Sequence, residues 1–205
     1  MLLETFYHIY NHANGFENLY QTEGNYHFFL RQWAKYIEPV AETYAYCLMP
    51  NHFHFLIKTK SEEDLLLVKP SPHLQGFENL GGMGKSSGKV IIQQFSNLFN
   101  SYTRAFNKQQ ERMGSLFMPN FKRKPIENDN YLTNIIFYIH HNPVHHGLSD
   151  SPFDWPHSSL HTMLSSKKTL VKRKSVLDWF GGIEEFKNLH SQALKGLEKL
   201  EMDFT

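Results

Sequence analysis

The run AETYAYCLMPNHFHFLIKT, Ala41 to Thr59, constrains this chain more than any other stretch. Two segments rich in aromatic and β-prone residues, AETYAYCLM and HFHFLIKT, are separated only by Pro50 and Asn51, a spacing that predicts a tight β-hairpin. Two imidazoles, His52 and His54, interrupt the apolar second strand. Side chains at i and i+2 of a strand leave the same face, so both rings point to one side. Met49, Phe53 and Phe55 are expected on the opposite, core-facing side.

The remaining elements are read around this hairpin. ETFYHIYNHA (4–13) predicts a first strand that stops at the turn signal Asn14-Gly15. Phe28, Phe29, Trp33 and Ile37 recur at helical spacing from about Asn25 to Ile37, closed by Pro39. Residues 61–88 are rich in Gly, Ser and Pro and predict a flexible insertion. Val90, Ile91, Phe95, Leu98, Phe99, Tyr102 and Phe106 form one stripe of a second helix. GSLFMPNFKRKPI then predicts a broken strand, and ENDNYLTNIIFYIHHNP a helix expected to end at Pro143. SSKKTLVKRKS predicts a solvated basic loop and IEEFKNLHSQALKGLEKL a terminal helix. The order strand, helix, strand, strand, helix, strand predicts an α+β fold. It has the split βαβ or ferredoxin-like pattern: an antiparallel sheet with helices on one face, an additional helix carrying Tyr138, and the terminal helix.

With 205 residues, 40% hydrophobic and 15% aromatic, the chain is long enough for one core. The expected organisation is a domain over 1–160 and an extension over 161–205. A net charge of +1 points to no class of partner, so local charge has to decide. The single cysteine, Cys47, lies in an apolar run and suits a reducing, cytoplasmic setting. No apolar run approaches the roughly 20 residues that span a bilayer, and MLLETFYHIY lacks the pattern of a signal peptide, so no membrane partner is expected.

Two neutral imidazoles on a rigid strand make a partial ligand set for Mn²⁺, Zn²⁺ or Mg²⁺. Tyr138 and Asn142, four residues apart, share one helix face. If that face packs over the histidines, Asn142 can add an oxygen ligand while Tyr138 stands beside the metal. A tyrosine buried in the core with a hydrogen-bonded hydroxyl is the competing reading.

MPNHFHFLI, FYIHHNPVHHGL and FDWPHSSL together resemble the single-tyrosine HUH transposases, most closely the REP-associated tyrosine transposases and small insertion-sequence relatives. The likeness runs in order from FYHIYNHANG through SYTRAFNKQQERMGSLFMPNFKRKPI to LDWFGGIEEF. It implies that His52 and His54 are paired metal ligands, Asn142 a third polar ligand and Tyr138 the nucleophile, with Mg²⁺ or Mn²⁺ as cofactor. It also implies cleavage and rejoining of single-stranded DNA near a hairpin through a 5′-phosphotyrosine. In some relatives two chains exchange the tyrosine helix, whereas the REP-associated kind works as a single chain; a monomer is expected over a homodimer. His145 and His146 depart from the Lys or Arg often found there, and the insertion at 61–88 is long for the pattern. Tyr131, Tyr102 and Tyr46 are the competing tyrosines.

DNA contact is expected from Arg104, Lys108, Arg112, Lys122, Arg123 and Lys124, interleaved with Tyr102, Phe106, Phe117 and Phe121. A histidine-triad nucleotide hydrolase would need a third alternate histidine where Leu56 stands. A non-catalytic DNA-hairpin binding protein on the same scaffold remains the second reading.

Overall fold

The computed structural model describes residues 1–67, 85–128 and 131–192. Most of the expected flexible insertion and the second half of the expected terminal helix lie outside the described residues. The elements are β1 (Phe6–His12), α1 (Glu23–Tyr36), β2 (Ala41–Met49), β3 (His52–Thr59), α2 (Glu62–Leu66), α3 (Lys85–Gln109), β4 (Lys122–Pro125), α4 (Leu132–His145), α5 (Leu160–Leu164), α6 (Arg173–Trp179) and α7 (Ile183–His190). The short, exposed β4 and an isolated bridge from Ala13 to Phe117 are the expected broken strand.

One sheet of four strands runs β2-β3-β1-β4, every neighbouring pair antiparallel. The predicted hairpin is β2 and β3. Because β3 is an inner strand covered on both faces, it is buried at nearly every position, which is why its two histidines stand out. One face of the sheet carries Tyr7, Ile9, Phe53, Phe55 and Ile57 under α1 and α3, with Trp33 stacked on Phe55 at 3.5 Å. The other face carries Ala45, Cys47, Met49 and Leu56 under α4, with Met163, Val176, Phe180 and Phe186 from α5 to α7 completing that second core. Helices therefore cover both faces: α1 and α3 one, and the tyrosine helix with the C-terminal helices the other.

Three local expectations are corrected. Met49 lies directly opposite His52 and so shares the histidine face, because opposed residues of an antiparallel pair project to the same side. Pro143 does not end its helix; it removes only the donor to the Ile139 carbonyl, and α4 runs on to His145. The stop comes from Gly147, at φ 65°, with Gly147 N–H donating to Val144 O at 3.0 Å and Leu148 N–H to Pro143 O at 2.8 Å. The basic segment after Ser165 is not wholly solvated: Lys172 N–H donates to Thr43 O and its amine pairs with Glu42, so α6 is tied to β2.

A buried hydrogen-bond chain docks α7 onto α4 and β2. His190 Nδ1–H donates to the Phe186 carbonyl at 2.8 Å, which leaves its Nε2 to accept from His140 Nδ1 at 3.0 Å. His140 Nε2 then accepts from the Ser159 hydroxyl at 2.8 Å, and Ser159 Oγ accepts the Tyr46 N–H. Burial pushes His190 down to about 3 and His140 well below its usual value. In the unfolded chain both titrate near 6.5, so the unfolded state takes up protons first as pH falls. Stability is therefore full above about pH 6.5 and lost from there towards about pH 3, at about 1.4 kcal/mol per pH unit for each group. Melting curves at about pH 7.5, 6 and 5 should show the midpoint falling at each step; a flat midpoint would contradict a neutral network.

Candidate active site

The β1–β3 register builds the site. Tyr10 is opposite His54, His12 opposite His52, and His8 opposite Leu56, so His8, Tyr10 and His12 share a face with the hairpin histidines. On β2, Cys47 and Met49 oppose His54 and His52 and supply the apolar flank. The α4 helix crosses this face. Its residue Tyr138 sets its ring edge-on to His54 at 5.7 Å and to His8 at 6.0 Å, and two turns later His146 stands 4.7 Å from the His52 ring. Asn142 lies between them on the same helix face.

The donor atoms are oriented from outside. His52 Nδ1–H donates to Asn51 Oδ1 at 2.7 Å, and its Nε2 is buried with no hydrogen-bond partner. His54 Nδ1 is 2.9 Å from His8 Nε2. The Asn142 amide donates Nδ2–H to the Tyr138 carbonyl at 2.8 Å, which leaves Oδ1 buried and unpartnered. Burying such atoms without partners is costly. Burial first, then the neighbouring imidazoles His12 and His146, push His52 down to about 3. Burial and then His8 hold His54 well below its usual value, so both rings are neutral and able to donate lone pairs.

Among the described residues no group of three or more His, Cys, Asp or Glu is disposed to hold a metal ion. The set here is two imidazoles and an amide oxygen. It fits a divalent cation in that two of its atoms, His52 Nε2 and Asn142 Oδ1, are among the buried polar atoms that have no hydrogen-bond partner. Tyr138 itself is only 3% exposed. Tyr131, its nearest competitor on the helix, lies at the start of α4 and is 45% exposed, while Tyr102 is in the far core with its hydroxyl donating to Leu19 O.

The six basic residues are not brought together. Lys122 and Lys124, opposite Tyr10 and His8, are exposed on the histidine face. Arg123 points to the other face, over the Phe121 ring at 5.4 Å. Arg104 and Lys108 are exposed on α3, whose layer lies across the sheet from α4. Arg112 is tied to Glu17 at 2.7 Å and to the Ser115 carbonyl, a clamp on its own loop. Of the aromatics expected to stack on bases, Tyr102, Phe106 and Phe117 are buried in the core and have no face to offer. His8, Tyr10 and His12 were missed as site residues, although their alternation in FYHIYNH was a visible signal.

Fold and site together define a class: an antiparallel α+β protein whose late helix lays a tyrosine against a histidine pair on the central strand. No protein-family model matches the chain. A Haemophilus influenzae protein named for the REP-associated tyrosine transposases is 29% identical over 122 residues, 58% of this chain and 59% of that protein. The chain thus matches about three-fifths of that relative's length. A solved structure of a REP-associated tyrosine transposase bound to a REP hairpin shares the fold, with a TM-score of 0.51 and 19% identity over 80% of this chain and 82% of that one. The two comparisons thus give a sequence likeness over 58% of the chain and a likeness of fold over 80% of it. No helix among the described residues is long and apolar enough to cross a membrane.

Proposed function

We propose that this protein is a REP-associated tyrosine transposase of the HUH type, which cuts and rejoins single-stranded DNA beside a hairpin through Tyr138. The supporting observation is the meeting of the Tyr138 ring with His54, beneath a helix face whose Asn142 Oδ1 is buried and unpartnered like His52 Nε2. The sheet order is then the ferredoxin-like core of that family. His52, His54 and Asn142 would hold Mg²⁺ or Mn²⁺, which supplies charge neutralisation at a non-bridging phosphate oxygen.

The chain's own residues do the rest. The α4 helix presents the Tyr138 hydroxyl, which attacks the scissile phosphorus in line. An Oη–P bond forms to the 5′-phosphate, the bond to the 3′-oxygen breaks, and that oxygen leaves as a 3′-hydroxyl carrying a proton. Attack by another 3′-hydroxyl reverses the step and joins the strands, with no external energy source because the ester is retained in the phosphotyrosine. A free phenol ionises near 10, so only about a thousandth of it is phenolate at neutral pH, and attack by a tyrosine needs a group that takes its proton. The chain is proposed to act as a monomer, since its own α4 brings Tyr138 to His54 without a second copy.

Lys122 and Lys124 would track phosphates across the histidine face. Replacing both by Ala should weaken binding of single-stranded DNA and flatten the plot of log affinity against log salt by about 1.4, at about 0.7 per phosphate contact. Replacing Arg104 and Lys108 together should cost less, because α3 lies on the other side of the sheet. A titration at several salt concentrations reads both.

The near-complete burial of Tyr138 favours the second reading, a non-catalytic hairpin-binding protein. Incubation of hairpin-bearing single strands with the protein and Mn²⁺ separates the two. A denaturation-resistant protein–DNA adduct on the 3′-side fragment is expected of the transposase, and binding without adduct of the alternative.

A further inference from the structure

The cluster holds two β1 histidines that no motif explains, His8 and His12, and of these His8 touches the His54 ring nitrogen. His8 is fully buried in β1, opposite Leu56, and reaches diagonally to His54. The two rings are nearly parallel, 17° apart with centroids at 5.0 Å, and share the 2.9 Å contact between His8 Nε2 and His54 Nδ1. One proton lies on that contact, and its position decides what His54 can do. With the proton on His8, His54 must carry its own on Nε2 and offers no lone pair outward. With the proton on His54 Nδ1, its Nε2 is the lone-pair donor. His52 shows the second arrangement: Asn51 Oδ1 can only accept, so His52 Nδ1 carries the proton and Nε2 is left as donor.

We infer that His8 is a positioning residue: its Nε2 accepts the Nδ1–H of His54 and so holds His54 in the tautomer whose Nε2 can bind a divalent cation. His8 and Asn51 are then equivalent supports, one behind each ring of the pair. Such outer partners fix the tautomer and the plane of a ligating imidazole. His8 also stands edge-on to Tyr138, so loss of its ring would loosen the wall on which the tyrosine rests. The inference rests on the metal site proposed above.

The test uses the full chain with His8→Ala and His8→Gln, the second of which keeps a side-chain acceptor. Nitrogen NMR of ¹⁵N-histidine protein without metal, with the His54 signal assigned by its loss in His54→Gln, should show the Nδ1–H tautomer in the wild type. A growing share of Nε2–H is expected in His8→Ala. Mn²⁺ affinity by calorimetry should fall about ten- to a hundredfold in His8→Ala and recover for the most part in His8→Gln. Spin-echo spectra of bound Mn²⁺ should show the same number of coordinated imidazoles in wild type and His8→Gln; loss of one would make His8 a ligand and overturn the inference. An Nε2–H tautomer in the wild type, or a His8→Ala protein that binds Mn²⁺ as tightly as the wild type, would also overturn it. A wild type that binds no Mn²⁺ at all would overturn the metal site and this inference together.

Discussion

Tyr138→Phe should bind hairpin-bearing single-stranded DNA as the parent does and form no covalent adduct with it. The substitution removes one oxygen and keeps the ring that packs edge-on against His54 and His8, so the wall of the site stays in place. If the phenol is the nucleophile, the rate of strand cleavage should fall on the order of 10⁴-fold or more, as when the attacking group of a covalent mechanism is deleted. Tyr131→Phe is the control. Tyr131 sits two turns earlier, exposed and away from the histidines, and its loss should leave adduct formation within about twofold, as for surface changes away from a site. Gel separation under denaturing conditions, followed by mass spectrometry of the adduct peptide, reads both variants. Ordinary cleavage by Tyr138→Phe would move the nucleophile elsewhere.

His52→Ala and His54→Gln should each abolish Mn²⁺-dependent cleavage while leaving hairpin binding largely intact. Both rings are neutral and buried, and each would contribute one nitrogen to a three-atom set, so losing either leaves the cation two protein donors. The loss of metal affinity should exceed the roughly 10–100-fold that follows loss of an outer partner such as His8. His54→Gln is chosen over Ala because the His54 ring packs against His8, Tyr10 and Tyr138, and a cavity there would loosen the tyrosine as well. Calorimetric titration with Mn²⁺, alongside a melting curve of each variant without metal, separates the lost ligand from lost structure. Metal affinity unchanged in His52→Ala would remove that ring from the set.

Much of this is legible in the sequence, for reasons that are local. Two apolar segments joined by Pro50-Asn51 have few alternatives to a hairpin, and strand alternation then places His52 and His54 together. The Tyr138 to Asn142 spacing likewise fixes a shared helix face. What was not legible depended on long-range register. Only the pairing of β1 with β3 brings His8 beside His54 and His12 beside His52, and no local pattern specifies it. Met49 falls on the histidine face and not on the face that simple alternation predicts, because a two-residue turn reverses the alternation across the hairpin. The six basic residues read as one patch because they are close in sequence, yet α3 and β4 carry them to different sides of the sheet, and Arg112 is consumed by Glu17. The Gly147 stop was visible in HHGL, but the proline before it drew the boundary too early.

The most direct measurement is anomalous diffraction from a crystal of the full chain grown with Mn²⁺. The expected result is a single strong peak bounded by His52 Nε2, His54 Nε2 and Asn142 Oδ1, with the Tyr138 hydroxyl facing it. A peak bound elsewhere, or these three atoms empty at saturating Mn²⁺ while the protein still cleaves DNA, would contradict the shared site.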